Sequence, residues 1–337
     1  MITMLDVAKK AGVSKSTVSR VLNGNPLVSP EIAKLVYKAI TETGYRPNLI
    51  ARQLATNKTN LIGFVIPKAL YDSTYFSKLI SDGASYCEKN HFQLLLADGK
   101  NTGNDELKAI ELLVDMKCQG ILAYPLHLTQ EQLSSFRQTK NAVPIVMINR
   151  HFDDYPCIGF NHEQAGYKVT RCLIAKGHRQ IAYLQGFESS PTNQARFSGY
   201  LKAMNEAQLS VYKQLVPVGN WNWSMQSGYL AAKQLLSSKQ SFTALIGASD
   251  NLAIGAMKAL FEQGLAIPED ISVASFDNST LSQFSQPGLT SIKQPAKELL
   301  EAALAYLIHG HPLPKEDFDS ELVIRDSIKD ILLEAVT

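Results

Sequence analysis

The chain has 337 residues, 45% apolar and 19% charged, which is the balance of an ordinary globular protein and too long for a single core. The net charge of +2 hides an asymmetry: residues 1–60 hold nine Lys or Arg against three acids, net +6, and the remainder is net −4. Four cysteines without a CxxC spacing (Cys87, Cys118, Cys157, Cys172) argue against a disulfide or zinc framework, and no stretch reaches membrane-spanning length. A cytoplasmic protein with no membrane partner is expected, whose basic head meets a polyanion.

Residues 3–24 read TMLDVAKKAGVSKSTVSRVLNG. Thr3 suits the N-cap of a first helix and Asp6 its positive end, with Leu5, Val7, Ala8 and Ala11 on the apolar face. Gly12 suits the left-handed stop. Ser14 then caps a second helix with Val18, Val21 and Leu22 inward, and Gly24 stops it. Its outer face carries Lys15, Ser16, Thr17, Ser19, Arg20 and Asn23. Two helices about a tight Gly turn form a helix-turn-helix, whose short polar and basic side chains can reach base edges in a major groove. Two surface helices with a solvated basic face would read the same way from these residues alone.

Together with GYRPNLIARQLAT at 44–56, this opening resembles the LacI/GalR family of bacterial transcription regulators, and the resemblance runs to about residue 328. It implies a small all-α helix-turn-helix headpiece (1–46), a hinge helix and linker (47–59), and a two-lobed α/β body like the periplasmic binding proteins (60–337). By family position Lys15, Ser16 and Arg20 read bases, while Ser14, Thr17 and Asn23 contact phosphates or sugars.

Ser29-Pro30-Glu31 is a helix start, followed by Ile32, Leu35, Val36, Ala39 and Ile40 at helical spacing, with Gly44 as the stop. Pro47 forces an extended Arg46, and Asn48 can cap the seven residues 49–55, too few for a helix stable alone. The family resemblance places this segment, including Asn48, Ala51 and Leu54, in the minor groove, with Leu54 as the wedge that kinks the duplex. A plain linker is the alternative.

From Leu61 the texture changes. Apolar runs at 61–67, 92–98, 120–125, 144–149, 157–161, 181–186, 244–249, 271–276 and 289–295 alternate with helical patterns, among them 104–118, 163–177, 193–208, 225–237 and 251–264. Near-continuous apolar strands between helices predict parallel sheets covered on both faces. Two doubly wound halves follow: an N-lobe of about 60–160 and 291–320, and a C-lobe of about 161–290 and 321–337. The chain would cross between them near 161, 290 and 320.

No enzyme motif survives inspection. GxGxxG and a Walker loop are absent, His162-Glu163 begins HExxH and fails, and Asn251 breaks a nucleophile elbow after Gly247. No cofactor or metal is expected.

Ligands of open α/β sheets bind beyond the strand carboxyl ends. The candidates there are Tyr75, Phe76, Asn149, Asn161, Arg196, Trp221, Ser249 and Asp277. The resemblance assigns Arg196 to the ligand's polar groups, Asp277 to its hydroxyls or ring nitrogens, and an aromatic near Trp221 or Trp223 to its flat face. Ser249 stands where many relatives have Asn. LLLADGK, YFSKLI, SDNLAIGAMKAL and RDS resemble most closely the β-glucoside (asc-type) branch. The implied protein is a homodimeric repressor of a carbohydrate operon, bound to a palindromic DNA operator and governed by a small sugar. A periplasmic-type sugar carrier and a family regulator answering to a purine or to a protein co-regulator are the alternatives.

Overall fold

The computed structural model describes residues 2–22, 25–45, 59–70, 74–139, 143–219 and 221–334. Asn23, Asn48, Ala51, Leu54 and the expected hinge helix lie outside the described residues. The chain divides into two compact units, 1–59 and 60–337.

Among the described residues the first unit is three helices: α1 (Met4–Ala11), α2 (Lys15–Leu22) and α3 (Pro30–Thr43). The Asp6 carboxylate accepts from both the backbone N–H and the hydroxyl of Thr3, and Gly12 takes the left-handed conformation (φ +67°) that ends α1. Ser14 Oγ accepts from Thr17 N to start α2, Ser29 Oγ accepts from Ile32 N to start α3, and Gly44 (φ +65°) ends α3. The core is Val7, Ala8, Val18, Val21, Val36 and Ala39. Each buried Val contributes roughly 1.5–3 kcal/mol, so six small side chains make a thin core. Leu5 and Leu35, expected inside, are half exposed, because so slender a core takes only a narrow stripe from each helix.

In the second unit, β1 (Leu61–Ile66), α4 (Thr74–Lys89), β2 (Gln93–Asp98), α5 (Gly103–Asp115), β3 (Gly120–Ala123), α6 (Gln130–Thr139), β4 (Ile145–Ile148) and β5 (Cys157–Ile158) form the N-lobe sheet. Its order is β2-β1-β3-β4-β5, all parallel. Alternate strand residues feed opposite faces. Ile62, Phe64, Ile66, Leu122 and Val146 meet Leu79 of α4, while Val65, Ile121, Ile145 and Met147 meet Ile110 of α5 and Leu133 of α6.

The chain then crosses into the C-lobe: α7 (His162–Ala175), β6 (Ile181–Leu184), α8 (Pro191–Glu206), α9 (Met225–Ser237), β7 (Ala244–Gly247), α10 (Asp250–Glu262), β8 (Ser272–Phe276), α11 (Thr280–Phe284) and β9 (Thr290–Lys293). α12 (Ala296–His309) returns to cover the N-lobe sheet with Leu299, Leu300, Ala303 and Leu304. β10 (Glu321–Val323) and α13 (Ile331–Glu334) end the C-lobe. The sheet order is β10-β9-β8-β7-β6, with β10 antiparallel on β9.

The nine apolar runs became β1–β9. The return expected at 291 falls inside β9, whose parallel pairing with β8 keeps it in the C-lobe; the chain leaves after it, at 294–295. β10 had no sequence signal, since its three residues are exposed or half-buried.

Candidate functional site: a recognition helix and an interlobe cleft

On α2, Val18 and Val21 turn inward. This leaves Lys15, Ser16 and Arg20 exposed, with Thr17 and Ser19 half-buried beside them. Ser14 Oγ also lies 2.7 Å from Ser16 Oγ and 2.8 Å from Thr17 Oγ1, so three hydroxyls cluster where the helix starts. Among the described residues Lys15 and Arg20 have no acidic partner, in contrast to Lys10 and Lys38, which both reach Glu42. Two unpaired cations, Lys15 in the first turn and Arg20 in the last, with a row of hydroxyls at the helix start, are what a polyanionic duplex requires.

The carboxyl ends of the parallel strands in the two lobes face one cleft. The N-lobe contributes Leu70, Tyr75 and Phe76 after β1 and Tyr124 and Leu126 after β3; the C-lobe contributes Ser190, Thr192 and Arg196 after β6, then Trp223, Ser249 after β7, Asp277 after β8 and Gln294 after β9. One wall is therefore apolar and aromatic and the other polar. Phe76 stands edge-on to both Tyr75 and Tyr124, with centroids 5.0 and 4.7 Å away. The loop carrying Leu126 is fixed from beneath by the buried Glu106 carboxylate, which accepts from the backbone N–H groups of Leu126, His127 and Leu128. Arg150 Nη1 donates to Leu126 O from the other side.

The polar wall centres on Arg196, which is 97% buried by the chain around it. Its Nε donates to His162 Nδ1 (3.3 Å), one terminal nitrogen donates to Ala248 O, and the other reaches Asp277 Oδ1 (3.4 Å). The guanidinium also lies over the Phe276 ring at 4.5 Å. Asp277 accepts a second bond from Gln294 Nε2. Its backbone takes φ +104°, a region side chains seldom adopt, held by Asp277 N donating to Ile292 O. Burial pushes the Asp277 carboxyl up to about 7, with the Arg196 charge opposing that rise. Burial, followed by the Arg196 charge, keeps His162 well below the usual histidine range, so its ring is neutral. The Tyr75 hydroxyl is buried in the cleft with no partner among the described residues.

Of the sequence candidates, Tyr75, Phe76, Arg196, Ser249 and Asp277 converge on this cleft. Three do not. Trp221 turns away, its indole N–H donating to Pro217 O while the ring packs on the C-lobe core; Trp223 occupies the cleft instead, over Gly186, where a Cβ would meet its ring at 2.7 Å. Asn161 is exposed and caps α7 by accepting from Gln164 N. Asn149 sits behind the wall, donating to the Tyr124 hydroxyl. Sequence reading missed Leu70, Tyr124, Leu126, Ser190, Thr192 and Gln294. All six follow strand carboxyl ends, which was the available signal.

The family described as bacterial regulatory proteins, lacI family, matches residues 3–48, and the periplasmic binding protein-like domain matches residues 170–328. The HTH-type transcriptional regulator AscG of Escherichia coli K12 is 38% identical over 334 residues, 97% of this chain and 98% of that protein. This chain belongs to the LacI family. The family's other members here include the transcriptional repressor PurR of Actinobacillus pleuropneumoniae, 31% identical over 98% of this chain and 99% of its own. A Lac repressor dimer bound to operator and the anti-inducer ONPF superposes with a TM-score of 0.85 at 28% identity, covering 97% and 99% of the two chains. The regulator CelR in complex with cellobiose does so at 0.69 and 26%, covering 97% and 100%. The protein is accordingly a DNA-binding transcriptional repressor with an α/β body of periplasmic-binding-protein type. Among the described residues no helix is long and apolar enough to cross a membrane.

Proposed function

We propose that this repressor is a cytoplasmic homodimer that grips a palindromic operator of a carbohydrate-utilisation operon and is governed by a small sugar, a β-glucoside, held between the lobes. The observation that carries the sugar reading is the two-faced cleft. Arg196, Asp277, Gln294 and Ser249 offer the donor and acceptor set of a sugar's hydroxyl edge, and Trp223 offers a ring to its CH face. Opposite them Leu70, Tyr75, Phe76, Tyr124 and Leu126 leave an apolar berth for the group beyond the glycosidic oxygen. Because Arg196 already faces Asp277, the pair does not call for a charged ligand. Resemblance to AscG and to a regulator that binds cellobiose, itself a β-glucoside, supports the same reading.

In such a dimer the cleft ligand acts by its differential affinity for two interlobe arrangements, which limits the shift in DNA affinity. Recognition by Lys15, Ser16 and Arg20 predicts that Lys15→Ala costs roughly 1–3 kcal/mol at the matching base pair and relaxes preference there. A uniform loss on all duplexes would remove Lys15 from the base-reading set.

The test is fluorescence anisotropy of palindromic duplexes with and without cellobiose, an aryl β-glucoside and hypoxanthine, paired with calorimetry of each compound. A β-glucoside that binds and shifts operator affinity is the expected result. Binding of hypoxanthine alone would replace the sugar reading with a purine one. Indifference to every duplex at low salt would remove the operator.

A further inference from the structure

Arg196 is reached by one residue that lies outside the cleft and belongs to the crossover between lobes. His162 opens α7, immediately after the segment 159–161 that carries the chain from one lobe to the other. That segment is paired with the third crossover: Phe318 N donates to Gly159 O, Asn161 N donates to Phe318 O, and Phe160 bridges Phe318. The His162 ring packs on Phe160 with centroids 3.9 Å apart, and its Nδ1 accepts the Nε–H of Arg196. Since Nδ1 accepts, the proton sits on Nε2, which is buried with no partner among the described residues. The neutral ring this demands is the one its surroundings enforce.

We propose that His162 is a positioning residue that keys the Arg196 guanidinium to the interlobe crossover, so that the ligand-binding fork and the crossover share one register.

The fork has three tethers. Ala248 O and Asp277 belong to the loops after β7 and β8, within the C-lobe wall itself. The His162 tether leads directly to the first crossover, while the Asp277 tether reaches the second only through Gln294. The guanidinium is planar, so its three hydrogen bonds together fix the plane of the fork, and the Nε–H bond is the one that ties that plane to His162. A ligand that draws on the outer edge of Arg196 therefore pulls through Nε on a ring that packs, tilted, against Phe160 of the paired crossover strands. Asparagine places its carbonyl oxygen at the position of histidine Nδ1, as both are two bonds beyond Cβ. Glutamine places it one bond further, and leucine has no acceptor.

This inference rests on the cleft being the effector site, but its first readout needs no effector. In isotope-labelled full-length protein, the Arg196 Nε–H resonance, assigned by its loss in Arg196→Lys, is expected to exchange slowly with solvent. His162→Leu should speed that exchange at least tenfold and His162→Asn should restore it. Should the leucine variant fail to fold, the comparison of His162→Asn with His162→Gln decides, with protection in the first and none in the second. Equal protection in the asparagine variant and in the leucine or glutamine variant overturns the proposal. The second readout is effector affinity by calorimetry. A tenfold or greater loss in His162→Leu, recovered in His162→Asn, with ligand-free operator affinity unchanged, is expected; unaltered effector affinity in a folded His162→Leu also overturns it. If no sugar or purine binds the wild-type chain, the effector reading fails while the exchange experiment still decides the role of His162.

Discussion

Gly166 and Gly199 in the C-lobe and Gly63 in the N-lobe all lie where helices meet their neighbours, yet a methyl group would meet different matter at each. At Gly166 it would stand 2.1 Å from the backbone oxygen of Arg196, and at Gly199 it would stand 2.0 Å from that of Glu163. Gly228 and Gly255 repeat the arrangement between α9 and α10, against the backbone oxygens of Leu252 and Met225. Gly63 instead faces the end of the Leu113 side chain, and Gly83 faces Leu94 and Leu300. Backbone packed on backbone cannot yield, whereas leucine can change rotamer. The α7–α8 and α9–α10 contacts are thus a stiff frame around the polar wall, where the angle of each hydrogen bond matters, although the N-lobe has one backbone contact of its own, since a methyl at Gly103 would meet the His127 oxygen at 2.7 Å. The N-lobe presents apolar surface, where orientation matters less.

The difference between the walls should be largest at Arg196. Arg196→Ala removes the cation beside a nearly buried carboxylate, a loss of roughly 3–5 kcal/mol where a buried partner is stranded. Asp277 escapes part of that cost by taking up a proton. Effector affinity should fall at least a hundredfold by calorimetry while ligand-free operator binding persists. A loss below tenfold would move recognition to the apolar wall.

Next comes the frame. Gly166→Ala must part α7 from α8 at the residue that carries the fork, and overpacking of this kind costs about 1–3 kcal/mol. Thermal unfolding should show a clear drop in Tm for Gly166→Ala and a smaller one for Gly63→Ala, and only the first should weaken effector binding. Equal drops would erase the contrast between lobes.

The polar wall should also answer to pH where the apolar wall cannot. Asp277, raised from an ordinary 3.8 to about 7, favours the folded state most below pH 3.8, and that contribution is lost as pH rises through 7. Ligand binding runs the other way. Hydroxyls donating to the carboxylate require it ionised, so the proton must leave first. Affinity should fall about tenfold per pH unit below 7, since one proton is displaced. His162 on the other side of Arg196 stays neutral, and Asp250, whose charge adds to the rise at Asp277, accepts from Ser275, Ser291 and Ser279 N. Asp277→Asn should flatten the profile measured by calorimetry between pH 5.5 and 8. A slope that survives the substitution would place the titrating group elsewhere.

How much of this was legible in the sequence follows the same division. Most of strands β1–β9 were legible because they are buried on both faces and so read as apolar runs; β2, an edge strand, is mostly exposed or half-buried but still apolar in sequence, and β10 is a short edge strand without such a run. Asp277 was legible because a charge at the end of an apolar strand is costly unless used, whereas Arg196, within α8, was legible through the family resemblance. Trp221 and Trp223, two residues apart, cannot be ranked by spacing. The choice is made by the room above Gly186, from a distant part of the chain. Asn161 failed because an asparagine that could hydrogen-bond a ligand can equally cap a helix. Tyr124 and Leu126 looked like core, because an apolar wall differs from a core only in what faces it. His162 was weighed as a metal-site fragment, while its partner lies 34 positions along the chain.

The smallest expected effect tests the apolar wall itself. Tyr75 keeps its hydroxyl buried and unpaired in the free protein, and removing such a group takes away no bond already made. Tyr75→Phe should therefore leave Tm unchanged or slightly raised. If the ligand supplies the missing partner, affinity should fall by the worth of one neutral hydrogen bond, about 0.5–1.5 kcal/mol. Calorimetry on a β-glucoside and its free sugar then refines the assignment of the walls. A loss confined to the glucoside puts the hydroxyl on the glycosidic oxygen or the group beyond it. An equal loss for both puts it on the sugar ring, and the polar wall would then extend across the cleft into the N-lobe.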